Sequence, residues 1–190
     1  MGDQNPAAEE GGKGGLDLLG AARDDNAIAW WENTGHYGAI WARHTITDSF
    51  GGARGLATAD IDGDGDLDVL GAAYVDGDVA WWENTAGDGS GWAGRVISDT
   101  FAGANAVELA DMDGDGDTDI LSAGGEGVFW FVNWFENTGS GDGWVEHPIC
   151  WYDGSWSVVT ADIDGDGDTD AVSTQFAAED IAAQATGLVI

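Results

Sequence analysis

The chain has 190 residues, of which 36 are acidic and 5 are basic, so its formal net charge is −31 at pH 7. This balance excludes a protein that binds nucleic acid through its phosphates, and it opposes docking on anionic lipid, because almost no cations are available. Hydrophobic residues make up 43% of the chain, which excludes a disordered acidic tail and allows one domain with a real core.

Residues 1–14 open the chain, and we expect them to form a flexible N-terminal segment. They have neither the basic region nor the apolar core of a signal peptide. No later stretch is long and apolar enough for a transmembrane helix, so we predict no membrane insertion. The single cysteine, Cys150, excludes an internal disulfide framework.

Residues 15–190 contain a repeat with a period of 51 residues. The string ADIDGDGDLDVL places its first motif aspartate at Asp60, and related strings place the equivalents at Asp111 and Asp162, so both intervals are 51 residues. The string AWWENT follows the same period, and its third copy, NWFENT, carries an insertion of two residues. The units span about residues 15–52, 53–103, 104–154 and 155–190.

Each complete unit contains four short runs rich in Val, Ile, Trp and Tyr, separated by turn residues. Runs of this length bounded by Gly, Asp and Asn predict β-strands. In the second unit the predicted strands are Gly55–Asp60, Leu67–Tyr74, Asp78–Asn84 and Trp92–Ile97. Four antiparallel strands repeating at this interval predict the blades of an all-β propeller, which must stack because a lone sheet cannot bury both faces.

Large aromatic residues are expected to fill the interfaces between blades. The alternative is that one member of each Trp pair faces outward as a platform for sugar, since neighbours on a strand point to opposite faces. His44 and His147 are expected to pack their rings on a strand and not to bind a metal, because Arg95 takes the same position in the second unit. The predicted interface residues are Trp30, Trp31, Trp81, Trp82, Trp130 and Trp134.

The first and last units are incomplete. The first lacks an opening strand and an acidic loop, and the last reads AAQATG where AWWENT is expected. About 3.5 repeats are too few for a ring of roughly four to eight blades. We therefore expect the chain either to be completed by other chains through its terminal blades or to be part of a larger propeller.

The loop D-x-D-G-D-G-D-x-D has the donor pattern of a calcium site. Calcium prefers about six to eight oxygen ligands, and alternating aspartates turn short carboxylates toward one centre. In the first copy Asp60, Asp62 and Asp64 offer side chains, Asp66 offers its backbone carbonyl, and Asp68 closes the shell. The intervening glycines permit the positive φ angles that a tight loop needs.

An EF-hand begins with a similar pattern but is excluded here. It requires an acidic ligand at position twelve and a following helix. Position twelve is Gly71, Ser122 or Ser173 in the three copies, and the residues that follow have a β-like or small-residue pattern.

The DxDGDGDxD loops, the segments LDVLGAA, TDILSAG and TDAVSTQ that follow them, and the WWENT strands together resemble the FG-GAP/VCBS repeats of integrin-α-type β-propellers. The similarity covers Leu16 to Gln175. It implies that each loop joins the first two strands of a blade and binds Ca²⁺, with about three sites. Only Asp17 remains of the loop in the first unit, so no fourth site is expected. The implied ligands are Asp60, Asp62, Asp64, Asp66, Asp68, Asp111, Asp113, Asp115, Asp117, Asp119, Asp162, Asp164, Asp166, Asp168 and Asp170, with those at position seven (Asp66, Asp117 and Asp168) acting through the backbone carbonyl.

The sequence contains no recognisable catalytic constellation, so we do not expect an enzyme. We expect an extracellular or cell-surface, calcium-binding propeller module with a structural, adhesive or assembly role, and self-association through its terminal blades. One alternative is a glycan-binding module. Another is a non-catalytic part of a secreted carbohydrate-active enzyme.

Overall fold

The computed structural model describes residues 16–35, 40–126, 129–151 and 155–175. The predicted flexible segment 1–14 and the AAQATG string lie outside these ranges. Every regular element in the described ranges is a β-strand, which confirms the all-β prediction. These ranges contain no helix with the length and hydropathy needed to span a membrane.

The strands form four antiparallel sheets in which chain neighbours pair. The first sheet contains β1 (Leu18–Ala22), β2 (Ala27–Asn33) and β3 (Trp41–Thr47). The second contains β4 (Ala53–Ala59), β5 (Asp68–Ala73), β6 (Asp78–Glu83) and β7 (Ala93–Ser98). The third contains β8 (Ala104–Ala110), β9 (Asp119–Glu126), β10 (Phe129–Asn137) and β11 (Trp144–Trp151). The fourth contains β12 (Ser155–Ala161) and β13 (Asp170–Gln175).

The strands of the second sheet match the predicted runs to within two residues at each end. The insertion in the third unit lengthens one hairpin, because β10 has nine residues where β6 has six. The opening strands β4 and β8 pack against each other, and β8 packs against β12. The sheets therefore fan out from their opening strands as β-propeller blades do, and the described blades do not close a ring.

Both faces of the second sheet are buried, because alternate side chains on its strands face different neighbours. Trp81 packs with Phe101 and Phe135 in the core shared with the third sheet. Trp82 packs with Ile28 and Phe50 in the core shared with the first sheet, and its ring meets Phe50 edge-on at a centroid distance of 4.8 Å. This arrangement confirms the interface role predicted for the central Trp pair.

Two glycines let the tryptophans reach the next blade. A Cβ placed on Gly89 would lie 2.6 Å from the ring of Trp30, and one on Gly141 would lie 2.6 Å from the ring of Trp81. Both glycines also have positive φ angles, 75° and 67°, which side chains disfavour. The turn of each following blade thus closes over a tryptophan of the blade before it.

The outer tryptophans have other contacts. Trp31 lies on the face of the first sheet that points away from the second, with the guanidinium carbon of Arg43 at 5.8 Å from its ring centroid. Trp130 lies 5.3 Å from the ring of Trp156 in the fourth sheet, measured between centroids.

The predicted packing of the two histidines is confirmed. His44 stacks on Trp30 and His147 on Trp134, each with ring centroids 4.4 Å apart. Each histidine also contacts a glutamate of the neighbouring strand, at 3.1 Å for His44 and 2.7 Å for His147. Arg95 takes the same place in the second sheet, over the ring of Trp81 and paired with Glu83. These basic residues cover the interface tryptophans.

Candidate metal centres

Three acidic loops lie at one end of the sheets, each between the opening strand of a sheet and the next strand. They connect β4 to β5, β8 to β9 and β12 to β13, as predicted. In each loop, three carboxylate oxygens from different aspartates lie within 4.8 Å of one another. The three groups are Asp60, Asp62 and Asp68; Asp111, Asp113 and Asp115; and Asp162, Asp164 and Asp170.

The first aspartate folds each loop around its own carboxylate. Its two oxygens accept the backbone N–H groups of the two loop glycines, in the first copy Gly63 at 2.9 Å and Gly65 at 3.0 Å from Asp60. Both glycines have positive φ, at 79° and 97°. The other copies repeat these bonds, with Asp111 accepting from Gly114 and Gly116, and Asp162 accepting from Gly165 and Gly167.

The aspartates at positions three and five of each loop accept one backbone N–H each, so each keeps one carboxylate oxygen for another partner. Asp62 accepts from the N–H of Asp64 at 3.1 Å, and Asp64 accepts from the N–H of Asp66 at 2.9 Å. The second and third loops repeat both bonds. The aspartate at position three belongs to the converging group in every loop, whereas the aspartate at position five belongs to it only in the second loop.

The aspartate at position nine of each loop has a structural role that sequence reasoning missed. Asp68 is buried, and its two oxygens accept the N–H groups of Ile61 at 3.0 Å and Asn84 at 2.9 Å. Asp119 repeats this with Met112 and Asn137, and Asp170 accepts from Ile163. This carboxylate ties the loop to its sheet while it borders the acidic cluster.

Asp17 keeps the structural part of this arrangement without an acidic loop. It accepts the backbone N–H of Asn33 at 2.8 Å, the contact that Asp68 makes with Asn84. The sequence carries a signal for this contact. The aspartate lies 16 residues before the Asn of the WWENT string in both the first and the second unit.

The Asn of each WWENT string shapes a turn, and in the third blade it also joins two blades. The side-chain oxygen of Asn137 accepts the N–H groups of Gly139 and Gly141, both at 3.1 Å. Its amide donates to the carbonyl of Ile61, in the acidic loop of the second blade, at 3.2 Å. The acidic loop of one blade is therefore held by the next blade.

The carboxylates of these loops carry uncompensated charge. Burial raises the pKa of Asp68 and Asp119 above the ordinary value of 3.8, and two backbone N–H donors oppose this shift at each residue. Burial also raises the pKa of Asp62, with repulsion from Asp64 as a further cause. A raised pKa means that folding disfavours the charged form. In the metal-free chain the free energy of unfolding therefore falls as the pH rises from 3.8 through the raised pKa values of these groups.

The donor set fits a hard cation. All the converging atoms are carboxylate oxygens, the type of ligand that calcium prefers, and the described part of the chain places no Lys or Arg ion pair on them. A divalent cation would offset the repulsion that raises the pKa of Asp62. The loops thus offer the oxygen ligands that a metal ion needs, and their carboxylates repel one another unless a cation lies between them.

A fan of antiparallel sheets with up to four strands, three of which carry an acidic loop after the opening strand, defines a β-propeller repeat protein. The chain belongs to the FG-GAP-like repeat family, whose profile matches residues 12–71 and 111–173. The matched ranges include all three acidic loops. No curated protein matches this sequence.

Proposed function

We propose that the chain is a calcium-binding β-propeller module whose three acidic loops each hold one Ca²⁺. The observation that carries the proposal is the threefold convergence of carboxylate oxygens within 4.8 Å on the same loop backbone. Asp60, Asp111 and Asp162 organise each loop. Their carboxylates and those of the neighbouring aspartates would bind the ion, which would supply the positive charge that the loops lack.

Substitution of one loop aspartate is expected to remove one calcium site. Asp113→Ala deletes a converging carboxylate of the second loop, so calorimetric titration is expected to count one calcium fewer than in the wild type. Asp117→Ala is the matched control, because position seven is predicted to act through its backbone carbonyl. An unchanged count for Asp113→Ala would show that Asp113 is not a ligand.

The role that we propose is structural or adhesive, at a cell surface or outside the cell, and non-catalytic. Calcium sites in extracellular modules bind at about 10⁻⁴–10⁻³ M, a range in which they are filled only where calcium is abundant. The net charge of −31 also favours a setting in which calcium and salt screen self-repulsion.

We further propose that copies of the chain associate head to tail through their terminal blades. Val69 is buried against the first sheet, whereas Leu18, its equivalent in the first sheet, is 58% exposed. Leu70 is buried against the third sheet, whereas Val172, its equivalent in the fourth sheet, is 42% exposed. The two exposed faces are the two halves of the interface that joins every internal pair of blades, so a second copy fits both.

Sedimentation equilibrium in millimolar calcium and moderate salt is expected to give a mass at least twice the 19.7 kDa of one chain. Leu18→Asp places a charge on the proposed contact and is expected to yield the monomer. Val96→Asp, on the exposed side of β7, is the control and is expected to leave the assembly intact. A wild-type monomer at micromolar concentration would contradict self-association.

A further inference from the structure

A cationic and aromatic cluster lies on the face of the blades opposite the acidic loops. It consists of Arg54, Tyr74, Asn105 and Trp156, and we call it the Arg54 cluster. Arg54, Asn105 and Trp156 occupy equivalent positions near the starts of β4, β8 and β12, at intervals of 51 residues. The acidic loops follow the other ends of these strands, about 20 Å away for strands of this length.

The cluster is held together across three blades. Nη1 of Arg54 donates to the side-chain oxygen of Asn105 at 2.5 Å, and the amide of Asn105 donates to the backbone carbonyl of Trp156 at 2.7 Å. The guanidinium carbon lies 3.9 Å from the ring centroid of Tyr74 and 5.9 Å from that of Trp156. These contacts fix the plane of the guanidinium group without neutralising its charge.

Arg54 forms no ion pair with a carboxylate in the described ranges, although the chain has 36 acidic residues and only 5 basic ones. Arg95, by contrast, pairs with both Glu83 and Asp142. A guanidinium group has five N–H donors, and within the described ranges Arg54 uses one in a hydrogen bond. In the part of the chain that the structure describes, the remaining donors have no hydrogen-bond partner, so they can serve an anionic ligand.

We propose that the Arg54 cluster binds the uronate unit of an acidic glycan. A guanidinium fork pairs with a carboxylate through two parallel hydrogen bonds. Trp156 is 43% exposed, with the ring of Trp130 at 5.3 Å from its own, and the exposed part of its indole offers an apolar surface that the C–H groups of a pyranose ring can contact. A uronate carries both complementary features on one ring. The acidic chain repels anions at long range, so binding requires salt that screens this repulsion.

Calorimetric titration with trigalacturonate tests the proposal, in about 0.15 M salt and fixed calcium. Its methyl ester is the matched ligand control, because it keeps the sugar and removes the charge. The ester, Arg54→Gln and Trp156→Ala are each expected to weaken binding by roughly tenfold or more. Arg43→Gln is the protein control, because Arg43 also faces a tryptophan ring but lies on β3.

Three outcomes would overturn the assignment. Undiminished binding by Arg54→Gln would place the ligand elsewhere, including on loop-bound calcium. Binding of the ester or of succinate as tightly as trigalacturonate would show that the site does not recognise a uronate. Absence of wild-type binding would contradict the proposal directly. If Arg54→Gln fails to fold, Arg54→Lys replaces it, because lysine keeps the charge but loses the two parallel N–H donors. Asp113→Ala is expected to bind trigalacturonate as the wild type does, which separates this site from the calcium loops.

Discussion

Calcium at a concentration 100-fold above its dissociation constant is expected to raise the thermal unfolding midpoint of the chelated protein by roughly 5–10 °C for each occupied loop. The increment follows from mass action, because an ion that binds only the folded state contributes about 2.7 kcal/mol per site under these conditions. Scanning calorimetry with calcium and with chelator measures it. An identical midpoint in both samples would contradict calcium binding by the folded loops.

Two controls sharpen this experiment. Magnesium is expected to substitute poorly, because its small octahedral shell does not suit a site with many protein oxygens. The rise in the unfolding midpoint caused by calcium is expected to shrink at acidic pH. Asp62, Asp68 and Asp119 have pKa values raised above 3.8, so in the folded state they take up protons, which compete with calcium, at a pH still above 3.8. The metal-free protein should change in the opposite sense, since protonation removes its uncompensated charge.

Replacing Trp81 with alanine is expected to destabilise the protein by about 3–5 kcal/mol, because it opens a cavity in the core between the second and third blades. Trp81 has no solvent-exposed surface, and it packs with Phe101, Phe135 and Ile120. Chemical denaturation followed by tryptophan fluorescence and circular dichroism measures the loss.

Val96→Ala is the matched control for Trp81→Ala. Val96 lies on β7 and is 63% exposed, so its truncation is expected to change the free energy of unfolding by about 0.5 kcal/mol or less. Equal effects of the two substitutions would show that the stacked blades do not form the cooperative core of the fold.

The sequence predicted the parts of the fold that repeat locally. The spacing of Asp60, Asp111 and Asp162 identified the loops, and the apolar runs between turn residues identified the strands of the second blade. These predictions succeed because an aspartate that accepts the N–H groups of glycines three and five residues later depends only on the loop itself. The resemblance to FG-GAP repeats was confirmed by the match to that family.

The contacts between blades were beyond reach of the sequence pattern. The amide of Asn137 meets the carbonyl of Ile61 across 76 residues, and no local periodicity links them. The fixed position of Arg54 depends on Asn105 and on the ring of Tyr74, which meet only when the blades stack. Asp68 was assigned only to a metal shell, because a spacing of 16 residues to Asn84 does not by itself show that its carboxylate accepts the N–H of Asn84.

The number of calcium ions bound per folded chain tests the central claim most directly. Equilibrium dialysis against millimolar calcium, with denatured protein as the reference for nonspecific binding by its many carboxylates, measures this number. Three ions per chain are expected, one for each acidic loop. A folded chain that binds no more calcium than the denatured reference would contradict the assignment of these loops as metal centres.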